Sequence, residues 1–445
     1  MRFASGRQLG RSSQAPELIY YIAMSERRSL LVEALTLGLY GSSPRPALRA
    51  RQRDVLGRIL ACGSGNLGAH WRECQDCGHA HLVAHSCRDR HCPRCQLHQS
   101  VEWLERQTEA LLPVPYFHLV FTLPHQLHAL IRQNPKPCLK LLFDAASSTL
   151  LDFGRNNLGA QLGMTAVLHS WGQNMAEHYH LHVIVPGGGL SLSEDEWIEA
   201  EPGKANSRWL FSTRALSRVY QARYLEGLRA CYDNNELEFH GAIKHWAQES
   251  TFAAQLRTVS RRKWNVYAKA PFGGPKPVLK YLSLYTHRVA ISERRIVEVD
   301  RQAETVRFNY KDYADKGRWK PMVLSAAEFV RRFAQHILPR GFCKIRHYGL
   351  LSTRNRKEKI AICRVLLGDI DLEGGEAQLG GGEEGGVEAA TNRSGQLSVD
   401  QSKAEGRVAP ESCPECGSTN LIWRAVTSAE SSGRDPPEEQ LYLNL

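Results

Sequence analysis

The sequence predicts an α+β protein in which a sheet layered with helices is preceded by a small Cys/His-rich module and followed by an acidic tail. Three observations support this fold class. Short strand patterns alternate with helical patterns in the middle of the chain, two Cys-x2-Cys pairs precede them, and a Gly- and Glu-rich stretch follows them. Strands interleaved with helices are typical of a helix-covered sheet, and 445 residues are enough for two or three domains.

Shifts in composition divide the chain into five predicted regions. These are an N-terminal segment, a zinc-binding module, a larger α+β domain, a linker and a C-terminal tail, over residues 1–45, 46–112, 113–367, 368–410 and 411–445. We expect the linker to be disordered, because it has too few apolar residues to form a core. The tail contains another pair, Cys413 and Cys416, which could borrow ligands from upstream or be a remnant.

The two upstream Cys-x2-Cys pairs predict a structural zinc site. Cys74 and Cys77 are separated from Cys92 and Cys95 by 14 residues, close to the spacing of zinc ribbons. Four thiolates form the closed tetrahedral site of structural zinc, and such clustering without an export signal favours metal over disulfides. Spacing leaves open whether other side chains replace one of the four or complete a second site; these are Cys62, His70, His79, His81, His85, Cys87 and His91.

The distribution of charge predicts a nucleic-acid partner. The net charge is +11, and residues 369–445 carry fifteen acidic and five basic side chains, which leaves +21 on residues 1–368. A segment with this much positive charge favours a polyanionic partner such as nucleic acid, although a basic protein without such a partner is the alternative. Arg88, Arg90 and Arg94 lie among the cysteines, where they could contact DNA phosphates or simply be solvated.

The chain lacks the sequence features of exported or membrane proteins. It has no run of 18 apolar residues, and its N-terminus lacks a signal-peptide pattern. We therefore expect a cytoplasmic protein with no membrane partner. It also lacks a phosphate-loop motif, so we expect no nucleotide cofactor.

Hydrophobic periodicity predicts the elements along the chain. Helices are predicted over 46–62, 99–112, 136–151, 215–231, 237–247 and 325–337. Strands are predicted over 118–123, 163–171, 265–270, 295–299, 305–310 and 345–350, with a connecting loop over 190–210. Arg261, Arg262 and Lys263 precede Trp264 where one strand begins, a pattern that fits single-stranded DNA or a plain basic loop.

A histidine-rich strand is the first candidate for chemistry. Apolar residues alternate with histidines up to Val185, and the pattern ends at Pro186 and three glycines. His178, His180 and His182 therefore project from one face. Two such imidazoles can hold a divalent cation that polarises a phosphate oxygen, although an exposed histidine face without a ligand is the alternative.

The turn before this strand offers a third metal ligand. The strand over 163–171 comes directly before it, and a short turn at Gln173 and Asn174 would make the two strands antiparallel neighbours. Gln173 or Glu177 would then come close to the metal.

The second candidate is a tyrosine pair on a helix predicted from Val278 onward. Tyr281 and Tyr285 are one turn apart and face the same way. Two phenols side by side could act as successive nucleophiles on phosphorus, and Lys280 and Arg288 would stabilise developing charge. Half-buried packing is the structural alternative for such a pair.

Together these motifs resemble a known family. The His180-Leu181-His182 run with a downstream tyrosine pair resembles the HUH endonucleases, and further runs resemble the two-tyrosine rolling-circle transposases of the insertion-sequence ninety-one family. The resemblance covers most of residues 50–360 and lies in the runs 116–124, 169–174, 180–182, 186–189, 281–288 and 347–351.

The resemblance implies a fold, a reaction and roles for particular residues. It implies a palm-like antiparallel sheet, an N-terminal zinc module, and nicking of single-stranded DNA through a 5′-phosphotyrosine during rolling-circle transposition. The family motif assigns Mg²⁺ or Mn²⁺ binding to His180 and His182 and the nucleophile role to Tyr281 and Tyr285. Members often have a proline where this chain has Tyr179, and the role of His178 stays open.

Two other functions are considered. A plasmid replication initiator or conjugative relaxase would use the same HUH chemistry, but the zinc module and neighbouring motifs favour the transposase. A non-catalytic zinc protein would bind DNA without nicking it. The sequence leaves the oligomeric state and the target sites open.

Overall fold

The computed structural model describes residues 29–96, 111–200, 210–272, 289–368 and 412–425. Within these residues the chain is a mixture of helices and antiparallel sheets, which confirms the predicted α+β class. Three predicted features lie outside them: most of the helix over 99–112, the helix with the two tyrosines, and almost all of the acidic linker.

The α-helices are numbered in chain order. Those whose bounds lie within the described residues are α1 (Leu30–Tyr40), α2 (Ala50–Leu60), α3 (His128–Gln133), α4 (Pro135–Phe153), α5 (Thr213–Asp233), α6 (Glu249–Ser260), α7 (Ala326–Ala334) and α8 (Arg356–Leu366). Among them, none has the length and hydrophobicity needed to cross a membrane.

The strands in the described part of the chain fall into four sheets. They are β1 (Ala69–Cys74), β2 (Ala80–Ala84), β3 (Tyr116–Thr122), β4 (Ala160–Gln161), β5 (Gly163–Trp171), β6 (Glu177–Pro186), β7 (Gly188–Ser191), β8 (Trp197–Glu199), β9 (Asn265–Phe272), β10 (Ile296–Asp300), β11 (Thr305–Asp312), β12 (Arg318–Ser325), β13 (Ile345–Gly349) and β14 (Leu421–Ala425). The sheets have the orders β14-β1-β2, β10-β11-β12, β13-β5-β6-β3-β9 and β4-β7-β8.

The described chain forms two compact units. The first contains described residues 58–87 and 412–425, and the second contains residues 29–57 and the other described residues from 88 to 368. In the first unit, β14 from the C-terminal part pairs antiparallel with β1, with Leu421 opposite Cys74.

The five-stranded sheet is the centre of the second unit, and its strands are all antiparallel. One face is apolar because alternate residues of each strand, such as Phe121 on β3 and Leu181 on β6, enter the main core. The helices α4 and α5 cover this face, and Phe121 packs edge-on against Tyr220 of α5 at 5.1 Å between ring centroids. The intervening residues, which include the histidines of β6, project from the opposite face.

The sheet β10-β11-β12 packs against α1 and α7. Val306 and Phe308 of β11 are fully buried, and the Phe308 ring lies 6.0 Å from that of Phe329 on α7. Ser325 begins α7 as its N-cap, and its hydroxyl accepts a hydrogen bond from the Glu328 N–H at 3.3 Å. A serine followed three residues later by a glutamate is a sequence signature of a helix start.

Most predicted elements are present close to their predicted bounds: the strand over 163–171 is β5, and the helix over 136–151 lies within α4. Two predictions are wrong. The loop predicted over 190–210 contains β8 and the end of β7, which pair with each other. The helix predicted over 237–247 is a 3₁₀ helix, Gly241–Ala247.

The glycines explain both errors. Gly188 and Gly189 do not end the sheet structure; backbone oxygens of Ile198 and Gln161 lie 2.6 Å from where their Cβ atoms would be, so a side chain there would prevent the close pairing of β7. Gly241 has a φ of +53°, which no right-handed helix accommodates, so no helix runs from residue 237 through this position.

Candidate active site

Three histidines converge on the polar face of the five-stranded sheet. In the β5–β6 hairpin, His169 lies directly opposite His180, and His182 follows on the same face of β6. One ring nitrogen from each lies within 4.8 Å of the others. All three side chains are buried, with exposures of 4%, 8% and 9% in the order His169, His180 and His182.

Hydrogen bonds orient these rings. The Nδ1 of His180 lies 2.7 Å from the carbonyl oxygen of His178, which can only accept, so Nδ1 carries the proton and Nε2 carries the lone pair. The Nδ1 of His182 lies 2.9 Å from Nε2 of His118 on β3. The ring of Trp171 stacks on His169 with centroids 4.7 Å apart. Such partners fix the orientation of histidine rings that bind metals.

Burial keeps these imidazoles neutral. It lowers the pKa of His180 to about 3, with a further contribution from His178. It lowers the pKa of His182 well below the usual value, and the neighbouring His169 adds to the effect. His118 likewise has its pKa lowered to about 3, first by burial and then by the charge of Lys269. The neutral imidazole is the form that binds metal, so binding at pH 7 requires no loss of a ring proton.

The arrangement fits a divalent cation. The Nε2 atoms of His180 and His182 are 3.1 Å apart, and two ligands at right angles with metal–nitrogen bonds of about 2.1 Å would be about 3 Å apart. With the proton of His182 on Nδ1, both Nε2 atoms carry lone pairs at this short distance, and a cation bound to both would remove their mutual repulsion. Three protein ligands leave coordination positions open for a substrate oxygen.

His169 joins His180 and His182 in the convergent group, whereas the sequence suggested Gln173 or Glu177 as the third ligand. The carboxylate of Glu177 is held by Arg132 through two bonds of 2.9 and 2.7 Å and accepts a third from the Tyr179 hydroxyl, and it is not part of the convergent group. The prediction for Glu177 is therefore wrong. The side-chain oxygen of Gln173 is buried and has no hydrogen-bond partner among the described residues, and its role as a ligand stays a prediction.

The predicted nucleophiles lie outside the described residues. Tyr281, Tyr285, Lys280 and Arg288 all fall between Phe272, which ends β9, and Val289, where the described chain resumes. Val289 lines a small cavity together with Ser170 and Trp171 at the end of β5. The described residues on either side of these four, Phe272 and Val289, therefore adjoin the sheet that carries the three histidines.

The edge strand β9 presents an exposed aromatic residue beside the histidines. Tyr267 is 57% exposed and lies opposite Val120 of β3, and Lys269 lies opposite His118. Trp264, which the sequence suggested as a stacking residue, is instead in the core with an exposure of 3%, and its Nε1 donates to the Val259 carbonyl. The interpretation of Trp264 is therefore corrected.

The predicted DNA-binding arginines are not equivalent. Arg88 and Arg94 are exposed. Arg90 is partly buried, and its guanidinium donates to the carbonyl oxygens of Phe342 and Pro339. Those bonds make Arg90 a structural residue, whereas DNA contacts by Arg88 and Arg94 stay predictions.

The structure groups the cysteines differently from the prediction. Cys74 and Cys77 lie with Cys413 and Cys416, and the four sulfur atoms are within 4.8 Å of one another. Cys92 and Cys95 belong to the second unit and are not part of this group, so the predicted set of Cys74, Cys77, Cys92 and Cys95 is not the one that the structure brings together. Spacing failed here because the partner pair lies more than 300 residues downstream.

Two histidines that the sequence offered as alternative zinc ligands, His85 and His91, form hydrogen bonds to other groups. The ring nitrogens of His91 contact the Asp89 carboxylate at 2.8 Å and the Leu338 N–H at 3.1 Å. Those of His85 contact the Leu67 carbonyl and the His70 Nδ1, both at 3.0 Å. Neither ring therefore has a nitrogen available for zinc without breaking a bond.

Two protein-family models match the chain. One, described as "Transposase zinc-binding domain", matches residues 40–123, and the other, described as "Putative transposase", matches residues 163–359. The first contains the predicted zinc module, and the second contains the convergent histidines and the tyrosine pair.

Curated relatives agree with these models. "Putative transposase y4qJ" of Sinorhizobium fredii is 43% identical over 334 residues, which cover 74% of this chain and 82% of the relative. "Transposase for insertion sequence element IS801" of Pseudomonas savastanoi pv. phaseolicola is 27% identical over 311 residues, which cover 69% of this chain and 72% of the relative.

Among solved structures, the conjugative relaxase TrwC in complex with oriT DNA, in a metal-bound form, matches 39% of this chain and 71% of its own with 14% identity and a TM-score of 0.22. A second structure of the same complex matches 53% of this chain and 94% of its own with 12% identity and the same TM-score. Likeness at this level carries no argument about the site.

Proposed function

We propose that this chain, which belongs to the family of IS91-type transposases, nicks and joins single-stranded DNA at transposon ends through a 5′-phosphotyrosine. Family membership favours a transposase over the replication initiator and the relaxase that the sequence left open. The observation that carries the mechanism is the convergence of three buried imidazoles on one face of the sheet.

The histidine group would hold the cation. His169, His180 and His182 supply one nitrogen each, while the His178 carbonyl and His118 keep the rings oriented. When bound, the cation would polarise the scissile phosphate and balance the charge that develops on its oxygens. Imidazole ligands suit later transition metals, and Mn²⁺ accepts nitrogen more readily than Mg²⁺, so we expect Mn²⁺ to support the reaction at lower concentration.

The tyrosines would carry out the exchange of bonds. The phenolic oxygen of Tyr281 or Tyr285 attacks phosphorus and loses its proton, and the bond from phosphorus to the 3′ oxygen breaks. The 3′ oxygen takes up a proton, while the 5′ phosphate remains esterified to tyrosine. Because this ester preserves the bond energy, a second 3′ hydroxyl can reverse the step and join a new end without ATP.

Cleavage of a labelled oligonucleotide tests this proposal. The full chain is incubated with single-stranded DNA that carries a transposon end and a label at its 3′ terminus, with Mn²⁺ or Mg²⁺ added. We expect a labelled protein–DNA adduct that survives SDS and depends on the added cation, together with an unlabelled fragment that ends in a 3′ hydroxyl. Binding without any adduct under both cations would support a non-catalytic zinc protein and contradict the proposal.

We further propose that β9 contacts the DNA strand. Tyr267 offers an exposed ring on the histidine face, and Lys269 lies two residues further along the same face. An exposed aromatic ring beside a cation suits a base stacked next to its phosphate. Stacking at this position would place the neighbouring phosphate close to His118 and His182.

The change Tyr267→Ala should weaken binding of single-stranded DNA. Loss of one stacked base costs about 1–3 kcal/mol, which corresponds to roughly 5- to 150-fold in Kd. Fluorescence anisotropy with a labelled oligonucleotide measures this, and Tyr267→Phe should retain most of the affinity. The control Tyr313→Ala removes a ring that is 68% exposed in the turn between β11 and β12. Equal losses in both alanine variants would argue against stacking on β9.

A further inference from the structure

Two Cys-x2-Cys-Gly runs lie in the first unit, at residues 74–78 and 413–417, and are called the upstream and downstream hooks. The two hooks have the same local structure. In the upstream hook the Gly78 N–H donates to the Cys74 carbonyl at 2.9 Å, and in the downstream hook the Gly417 N–H donates to the Cys413 carbonyl at 2.9 Å. The two glycines have φ angles of +72° and +73°. Such a left-handed glycine after the second cysteine lets a short turn direct both thiols to one side.

The four thiols meet as two cross-paired contacts. The sulfur of Cys74 lies 3.6 Å from that of Cys416, and the sulfur of Cys77 lies 3.6 Å from that of Cys413. With zinc–sulfur bonds of about 2.3 Å, a tetrahedral site separates its sulfurs by about 3.8 Å. None of the four forms a disulfide. The spacing and the set of donors therefore fit one zinc ion.

Contacts other than the thiols hold the two hooks together. The Gln75 N–H donates to the Asn420 carbonyl at 2.9 Å. The Asp76 carboxylate accepts bonds from the Ser418 hydroxyl and from the side-chain amide of Asn420. The pairing of β14 with β1 continues from this point. The C-terminal segment is thus built into the sheet of the upstream hook.

We propose that Cys74, Cys77, Cys413 and Cys416 bind one zinc ion, which clasps the C-terminal segment 412–425 to the upstream module. The matched zinc-binding family model ends at residue 123, so it contains only the first two of these ligands. The tail pair therefore completes the site rather than being a remnant. Because Cys416 is needed, this site can form only after residue 416 has been synthesised.

The double change Cys413→Ser and Cys416→Ser in the full chain tests this site. Two thiolates cannot replace four, so we expect the variant to bind one zinc ion fewer per chain than the unchanged protein, measured by elemental analysis. Reconstitution with Co²⁺ should lose a matching share of the thiolate-to-cobalt absorption. The control Cys343→Ser removes an exposed thiol outside the group and should leave both readouts unchanged. Unchanged zinc content in the double variant would overturn the proposal.

Alkylation of the unchanged protein provides a second test that does not depend on a variant folding. Cys77, Cys416 and Cys343 are all exposed. In the zinc-loaded chain, iodoacetamide should label Cys343 quickly but Cys77 and Cys416 slowly, because a metal-bound thiolate is a poor nucleophile. A chelator should bring all three to similar rates, read by peptide mass spectrometry. Rapid labelling of Cys416 before chelation would contradict zinc binding by this thiol. Both tests measure zinc binding, so their outcome is independent of whether the protein cleaves DNA.

Discussion

Changing Tyr281 and Tyr285 together to phenylalanine should abolish the covalent protein–DNA adduct. Phenylalanine lacks the phenolic oxygen, so the variant has no group that can form the ester bond to phosphorus. Loss of a catalytic nucleophile commonly costs more than about 10³-fold in rate. The adduct is measured on SDS gels with the 3′-labelled oligonucleotide, and we expect the double variant to give no signal above that of a chelated control.

The single variants and binding measurements make this test specific. If the two phenols act in succession, each single change should leave one cleavage step and block the joining of a second end. The double variant should bind single-stranded DNA with unchanged affinity, because the phenyl rings remain. The matched control Tyr313→Phe alters an exposed tyrosine in the turn between β11 and β12 and should behave like the unchanged chain. Adduct formation by the double variant would remove both tyrosines from the mechanism.

The sequence predicted the histidine strand well because its pattern is local. The alternation that placed His180 and His182 on one face is a property of any strand. His169 was missed, although a turn at Gln173 and Asn174 would have set it opposite His178, on the same face. The observed register sets it opposite His180 instead. His169 could have been identified by pairing every histidine of the two strands across the antiparallel hairpin, instead of considering only the residues near the turn.

The zinc ligands and the stacking residue show what local patterns leave undetermined. A Cys-x2-Cys-Gly run determines the shape of a hook, but which two hooks meet depends on tertiary pairing. Here that pairing is set by β14 joining β1. Trp264 and Tyr267 are three residues apart, so their side chains point to opposite faces of the sheet. Only the packing of α5 and α6 on one face decides that Trp264 is buried and Tyr267 exposed.

Changing His169, His180 or His182 singly to alanine should remove most metal-dependent cleavage. Each change removes one of the three ring nitrogens that lie within 4.8 Å of one another and would bind the cation. Even partners outside the ligand set commonly change metal affinity by 10- to 100-fold, so loss of a ligand should lower the cleavage rate by about 100-fold or more at limiting Mn²⁺. The rate is measured with the labelled oligonucleotide over a range of Mn²⁺ concentrations.

The dependence on Mn²⁺ distinguishes the histidine variants from the tyrosine variants. A site that has lost one ligand still has two, so high Mn²⁺ should partly restore its activity, whereas no concentration restores a missing phenol. The control His178→Ala keeps the backbone carbonyl that orients His180 and removes a ring that lies outside the convergent group. We therefore expect it to retain most activity. If His169→Ala cleaves at the unchanged rate across the whole Mn²⁺ range while His180→Ala is inactive, His169 is not a ligand and the third position belongs to another group, such as Gln173.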